Sequence, residues 1–420
     1  MPASTVFKPG RLSRAPAAPR GWRARGALAA AGALVLVGIC TPAARATPTA
    51  CNKVASPQGS DSGDGSEGAP FRTAQELVDA LAPGEVGCLR AGTYGGGLTF
   101  EHGGAAGAAI VLRSSPGEEA LVTGRVWVKR GANYVTVADL SLDGNYQDPS
   151  EKRLPSPTIN ASDVTFEHDD VTDDQTEICF VVGSGIWGEA DSTVIAYDHI
   201  HDCGVLPAEN HDHGIYMQDA TNFQIVGNLI DHNADRGIQL YPQASGGVIA
   251  DNVISENGEG LIFSGDEGVA SSDDVVEHNL IVKSLIRSDI ESWYPQGNPV
   301  GVGNVARDNC VSQRAEGAGF SSQENVVASP AELVATSAGG YTAVPGSVCA
   351  AALAGGPAPL TAAIAAKPKP RPRKPPRRNL RRHRRYGHRL RRPRRRTRRA
   401  HAHSHRRARA SHSQARDRRR

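Results

Sequence analysis

"NHDHGIYMQDATNFQIVGNLIDHNADRGIQLYPQ", residues 210–243, carries nearly the same phrase twice. Asn210 to Gln218 reads N-H-D-H-G-I-Y-M-Q, and Asn233 to Tyr241 reads N-A-D-R-G-I-Q-L-Y, 23 residues later. A repeat of this length points to stacked coils, each burying its apolar side against its neighbours. Positions that change between copies, such as His213 against Arg236, are then expected to face solvent.

Folding the chain back on that period extends the pattern. "EICFV" (177–181), "GIYMQ" (214–218), "GIQLY" (237–241), "GLIFS" (260–264) and "DIESW" (289–293) align without gaps. Ile178/Phe180, Ile215/Met217, Ile238/Leu240, Leu261/Phe263 and Ile290/Ser292 alternate with mixed positions, the period of a strand with one buried face. A polar ladder accompanies them. Asp169, Asp198, Asn228, Asn252, Asn279 and Asn309 each stand two residues before Val171, Ile200, Ile230, Ile254, Ile281 or Val311, at steps of 29, 30, 24, 27 and 30. A short Asn or Asp side chain tolerates a turn and can bond the backbone of the neighbouring coil. A sandwich or barrel would not need one residue type at one phase in six units. The expected fold is an all-β solenoid of parallel strands.

The beginning reads as a cap. "TAQELVDALAPGEVGCLRAGTY" (73–94) opens with Thr73 and Glu76 at capping-box spacing and sets Leu77 and Leu81 on one helical face. Pro83-Gly84 breaks the helix, and "VGCLRAGTY" is expected to begin the first strand. With the residues before it, "SPQGSDSGDGSEGAPFRTAQELVDALAPGEVGCLRAGTY" resembles the opening segment of secreted bacterial right-handed parallel β-helix proteins of the pectate-lyase-like superfamily. The N-x-[VIL] turns and the "HGIY…GN.I..N…GI.L" coils resemble that group's repeat, over residues 51–330. The resemblance implies a right-handed parallel β-helix over 47–330 with an N-terminal helix cap, followed by a C-terminal cap or linker over 331–366. The superfamily spans pectate, chondroitin and alginate lyases, mannuronan epimerases, polygalacturonase-type hydrolases and non-enzymatic adhesins, so fold leaves function open.

The ends carry different information. Residues 1–46 read as a secretory signal: six basic residues from Lys8 to Arg25, the apolar run "ALAAAGALVLVGIC" (27–40), then "ARA" (44–46). The run is too short to span a bilayer, so no transmembrane span is expected, and the chain should be secreted. Cys40 leaves with the signal. The mature chain keeps Cys51, Cys88, Cys179, Cys203, Cys310 and Cys349, an even count that outside the cytoplasm favours disulfides. Sequence order suggests Cys51–Cys88, Cys179–Cys203 and Cys310–Cys349, among 15 connectivities that six cysteines allow. Residues 47–366 hold 14 Lys/Arg against 43 Asp/Glu, a balance of −29, while 367–420 hold 26 against the single Asp417, a balance of +25. The Arg/Pro/His-rich tail cannot bury a core and is expected to be disordered. Retention at the cell wall through this tail follows if it binds an anionic wall polymer.

In relatives of this kind the groove runs along the outer face of one parallel sheet, which directs attention to the outward positions of the aligned segments. His213, Arg236 and Glu259 stand one per coil just before the shared glycine, with Asp212 and Asp235 one residue earlier. Equivalent residues lie about 4.8 Å apart on adjacent coils, so they are expected to form a column beside an aspartate pair. The next columns bring Tyr216, Gln239 and Glu291, then Gln218, Tyr241 and Trp293, with Tyr294 adjacent. Charged groups beside exposed aromatics suit a sugar, whose ring has an apolar face and a polar edge. The extra residues around "CGVLPAENHD" (203–212) are expected to bulge and wall one side of the groove, pinned by Cys179–Cys203. Acidic turns at 61–68, 169–170, 173–174 and 271–274 offer oxygen ligands for Ca²⁺, although none matches an EF-hand and turn residues need no metal.

Three functions compete. The first is proton abstraction beside a carboxylate in a uronate-containing polysaccharide, ending in β-elimination or C5 epimerisation. It needs a cation to neutralise the substrate carboxylate and a base near the α-proton. Arg236 would neutralise, with Ca²⁺ on Asp212 and Asp235 as a further source of charge, and His213 would be the base; Arg236 is the alternative base. A body carrying −29 repels a polyanion unless metal ions or local positive charge intervene. The second is hydrolysis by two carboxylates drawn from Asp212, Asp235, Glu259 and Glu291, without the N-T-D and G-H-G arrangement of polygalacturonases. The third is a non-catalytic surface protein that binds carbohydrate or only supplies a scaffold. A monomer is expected, with a polysaccharide substrate or ligand unless the repeats only supply a scaffold.

The tail generates its own test. Deletion of residues 367–420 should abolish salt-sensitive retention on anionic cell walls, because a segment of +25 binds polyanions through screened charge. Equal retention of both forms at low salt would end the anchoring idea.

Overall fold

Between the strands Gln224–Val226 and Leu229–Asp231 the chain turns a corner on two residues, Gly227 and Asn228. Gly227 has φ 71°, and the same left-handed conformation recurs one coil away at Tyr197 (61°), Asp251 (59°) and further along at His278 (55°) and Asp308 (53°). After each stands the Asp or Asn of the polar ladder. The carboxamide oxygen of Asn252 accepts the Asn228 backbone N–H at 2.9 Å, while the Asn228 side chain donates to the Ile195 carbonyl and to Asn252 Oδ1. The same backbone N–H to side-chain oxygen bond links Asp169 to Asp198, Asp198 to Asn228, Asn252 to Asn279 and Asn279 to Asn309, and the series ends on Asn325. The expected column is thus present, buried from Asp169 to Asn309, and one step longer than expected, the half-buried Asn325 ending it.

This computed structural model describes residues 50–145, 154–313 and 315–354. The segment read as a signal, the basic tail and the end of 331–366 lie outside the described residues. The coils contribute strands to three sheets of 11, 9 and 10 strands, here sheets A, B and C, visited in the order A, C, B; within them pairing is parallel except where Val269–Ala270 folds back antiparallel on Glu259–Asp266 in sheet B. The polar ladder occupies the A-to-C corner. A second ladder, Cys203–Asn233–Asn257, lies at the C-to-B corner, and a third, Gly247–Asp274–Asn304, precedes sheet A. Inward residues of all three sheets form one continuous core that includes Phe100, Phe166, Phe180, Phe223 and Phe263. The fold is therefore a right-handed parallel β-helix with very little helix, as expected.

Two local expectations are corrected. In sheet B, Phe180 rather than Ile178 pairs with Ile215, so "EICFV" sits two residues out of the expected register. A slip of two preserves which face each side chain takes, so alternation alone could not detect it. The later coils follow the aligned register, with Ile215↔Ile238, Ile238↔Leu261 and Leu261↔Ile290. At the start, the strand Lys53–Ala55 precedes the helix and pairs in parallel with Val86–Leu89, so "VGCLRAGTY" does not supply the first strand; it forms two, the second being Gly92–Tyr94. The helix α1, Ala74–Asp79, is capped by the Thr73 hydroxyl, which accepts the Glu76 N–H at 3.1 Å, and it buries Leu77.

The disulfides are Cys51–Cys88, Cys179–Cys203 and Cys310–Cys349. The last holds the hairpin Leu333–Ala335/Tyr341–Ala343 and the short helix α2, Val348–Ala352, on the outer face of sheet C, where Tyr341 and Cys349 pack on Leu229, Val253 and Leu280.

Asp274 is the imperfect rung. Its Oδ1 accepts the Gly247 N–H, but its second oxygen is buried without a hydrogen-bond donor among the described residues, and burial pushes the carboxyl up to about 8. A carboxyl raised in the fold keeps its proton while the unfolded chain has lost it, so this group lowers stability progressively as pH rises from its ordinary value of 3.8 to about 8. Asp274→Asn should remove that slope and add about 0.5–2 kcal/mol of stability at neutral pH. Denaturant unfolding at pH 5 and pH 8 checks this; a variant less stable than the parent at both would refute it.

Candidate functional site

Sheet B carries the residues singled out by the repeat. Arg236 opens the strand Arg236–Leu240 and Glu259 opens Glu259–Asp266, and the two are partners across adjacent coils. His213 precedes the strand Ile215–Met217, and its neighbour Gly214 donates to the Arg236 carbonyl. The column of His213, Arg236 and Glu259 therefore exists, and Asp212 and Asp235 stand side by side, Asp235 N–H on the Asp212 carbonyl.

Its environment is not the expected one. His213 is 2 % exposed, Arg236 5 %, Glu259 0 % and Asp235 1 %. The loop 203–212 does not wall an open groove; it folds over the column. Arg236 Nη2 donates to Asn210 Oδ1 at 2.6 Å, and Asp235 Oδ2 accepts the N–H groups of His211 and Asp212 at 2.7 and 3.1 Å. Asp212 Oδ2 in turn accepts the Val205 N–H, closing the loop on itself, and Cys179–Cys203 ties its start to the neighbouring coil. From the other side Arg287 reaches Glu259 Oε2 at 2.9 Å, the same oxygen and distance as Arg236 Nε. Burial, with repulsion from Arg236 added, holds the His213 imidazole well below its usual value, so the ring is neutral. Burial also pushes the Glu259 carboxyl up to about 7, against the pull of the two guanidinium groups. A paired charge inside low dielectric is a positioning device, and here it positions a loop. The expectation that His213 and Arg236 face solvent is overturned, because the bulge that was read as a wall supplies their covering partners.

The outward columns are as expected in direction. Tyr216 pairs with Gln239 and continues through the buried Ile262 to Glu291. Tyr216 and Tyr241 approach at 6.2 Å between ring centroids, and the Tyr241 hydroxyl donates to Asp266. Gln218, Gln239, Tyr241, Glu291 and Tyr294 are half-buried, and Trp293 is exposed. Beyond them, Asp219, Gln243, Thr221 and Val300 line a cleft of about 570 Å³. The acidic turns use their carboxylates on backbone: Asp61 accepts from Arg72 and Thr73, Asp64 from Ser66, and Asp173 from Thr176 and Glu177.

The sequence reading passed over the earlier coils of sheet B. "RVWVK" (125–129) buries Val126 and Val128 and turns Arg125, Trp127 and Lys129 outward. The Arg125 guanidinium lies 4.3 Å and the Lys129 ammonium 4.7 Å from the Trp127 ring centroid. Trp127 Nε1 donates to Asn160 Oδ1 at 2.9 Å, and Asn160 Nδ2 donates to the Gly188 carbonyl at the base of the turn 184–188. That turn presents Trp187, 62 % exposed and edge-on to Trp127 at 6.3 Å, while Arg130 Nη2 donates to the Ile186 carbonyl. Three cations and the Glu101 carboxylate, which pairs with Lys129, thus surround two tryptophans. The alternation in "RVWVK" was a usable signal; the arrival of Trp187 from 60 residues downstream was not.

Residues 158–289 match a family model described as a right handed beta helix region. A solved pectate lyase, Pel9A, superposes with TM-score 0.52 at 14% identity, covering 68% of this chain and 84% of that one. The complex of XylC with xylose gives 0.49 at 11% identity, covering 63% and 69%. The molecule is a right-handed parallel β-helix protein by fold. In sequence it is similar to the uncharacterized protein YwoF of Bacillus subtilis (strain 168), 25% identical over 230 residues, and it spans 46% of that protein's length. Three disulfides suit an oxidising compartment, and no helix among the described residues is long and apolar enough to cross a membrane.

The buried column yields a stability prediction. Arg236→Ala removes one of the two guanidinium groups on the buried Glu259 and the donor to Asn210 Oδ1, so it should cost about 3–5 kcal/mol, far above the ±0.5 kcal/mol typical of surface changes. The loss should deepen as pH rises past about 7, where Glu259 ionises in the parent fold but, with one guanidinium fewer beside it, is held protonated in the variant. Denaturant titration at pH 5 and pH 8 reads both; a loss under about 1 kcal/mol would return Arg236 to a surface role.

Proposed function

We propose that this β-helix binds an acidic, uronate-containing polysaccharide along the outer face of sheet B, with the Trp127–Trp187 platform as its anchoring subsite. The observation that carries the reading is the placement of Arg125, Lys129 and Arg130 around two tryptophans, one of them held by hydrogen bonds and the other exposed. A pyranose stacks its apolar face on an indole, and a C6 carboxylate then meets guanidinium or ammonium groups. Trp127 acts as the pillar, since both cations already lie over its ring; Trp187 offers the free face. Local positive charge answers the objection that an acidic body repels a polyanion.

The track from Trp127 through Thr158, Val181, Tyr216, Gln239 and Ile262 to Glu291 crosses six inter-coil steps, or about 29 Å at 4.8 Å per coil. That length suits an oligosaccharide rather than a monosaccharide. The fold shared with a pectate lyase supports a polysaccharide ligand, and the reading is one of binding, since the side chains expected to abstract a proton lie beneath loop 203–212.

Affinity electrophoresis in polygalacturonate or alginate tests it. Wild-type protein should be retarded at low salt and released at high salt, and a neutral glucan should not retard it. Trp187→Ala and the Arg125→Ala/Lys129→Ala pair should each weaken retention about tenfold or more, with unchanged thermal stability for Trp187→Ala. Equal retardation of all forms would refute the platform.

A further inference from the structure

We propose that the outer face of sheet C holds a divalent transition-metal site for Zn²⁺, built from His199, His201 and Asp170. His199 and His201 lie two apart on one strand, so both rings project outward while Ile200 between them is fully buried. Asp170, on the adjacent coil, is the register partner of His199. Its Oδ1 lies 3.0 Å from His201 Nε2 and 3.5 Å from His199 Nδ1. Zinc with bonds of about 2.0–2.1 Å in tetrahedral geometry needs donor atoms roughly 3.3–3.4 Å apart, and these separations bracket that value.

The outer partners distinguish this arrangement from a chance cluster. His199 turns its other nitrogen, Nε2, to Asp231 Oδ1 at 2.8 Å. His201 turns its other nitrogen, Nδ1, to Asp202 Oδ2, also at 2.8 Å. Each imidazole therefore aims one nitrogen at Asp170 and has the opposite one held by its own carboxylate, which fixes tautomer and ring orientation as metal-bound histidines require. The rings are near parallel, 4.1 Å between centroids. Two nitrogens and one oxygen favour zinc over calcium, which prefers six to eight oxygens. The carboxylate of Asp170 is 37 % exposed and the two rings 21 %, so a fourth position opens to solvent, as in zinc sites that bind water or an exogenous ligand. This face is separate from the saccharide track on sheet B.

Isothermal titration of metal-depleted full-length protein with Zn²⁺, paired with Co²⁺ absorption, tests the assignment. The Arg/Pro/His-rich tail has histidines of its own, so the reading is the difference between forms that share the tail. Wild type should take up one more ion per chain than His199→Ala or His201→Ala, with a micromolar or lower Kd, tetrahedral d–d bands in the Co²⁺ spectrum and a raised Tm. Asp202→Asn, acting through His201 alone, should weaken that site about 10–100-fold and keep its stoichiometry. The metal-free variants should melt with the metal-free parent, which separates ligand loss from unfolding. Identical uptake by wild type, His199→Ala and His201→Ala would overturn the site, as would Ca²⁺ filling it as tightly as Zn²⁺.

Discussion

Everything in this molecule hangs on a buried amide handing one hydrogen bond to the coil above and one to the coil below. At the A-to-C corner the backbone N–H cannot join a sheet ladder, and no water reaches it. Leaving such a group unpaired costs about 1–3 kcal/mol. The Asn or Asp of the following coil supplies its oxygen, and Asn also returns a donor to a strand carbonyl. Because each rung needs the next, the coils hold a common phase although the steps between rungs vary from 16 to 30 residues; the excess leaves as loops elsewhere. The residue before the rung adopts a left-handed conformation in every coil, and it is glycine at only one of the five corners cited, so the side-chain bonds must offset that strain.

A similar satisfaction rule governs the charged cluster under loop 203–212. Arg236, Glu259 and Asp235 leave water together, with the partly exposed Arg287 closing their edge, and their remaining bonds run to loop backbone and to Asn210. Such a cluster gives a long loop one defined position. The same residues on an open face would have been reagents; covered, they are anchors.

Charge is thereby sorted by face. Cations and tryptophans gather on the early coils of sheet B, while histidines and aspartates gather on the middle coils of sheet C beside the C-terminal hairpin. A solenoid permits this because each outward face is an independent surface over one shared core. The chemistry of one face and that of the other need not share a residue.

The period of Asn and Asp, the alternation of the sheet B strands and the capping box at Thr73 determined the architecture without any coordinates, since each records a local rule that every coil obeys. The pairing of the six cysteines in sequence order also proved right, because successive coils bring nearby cysteines together. Exposure was decided only in three dimensions. Whether His213 meets solvent depends on where ten residues between Cys203 and Asp212 settle, and no periodicity encodes that. The two-residue shift at Phe180 was hidden because strands repeat every second residue. Trp187 reaches Trp127, and Asp170 reaches His201, across separations that only the stacking of coils closes, since a solenoid sets side by side residues about one or two coils apart in sequence.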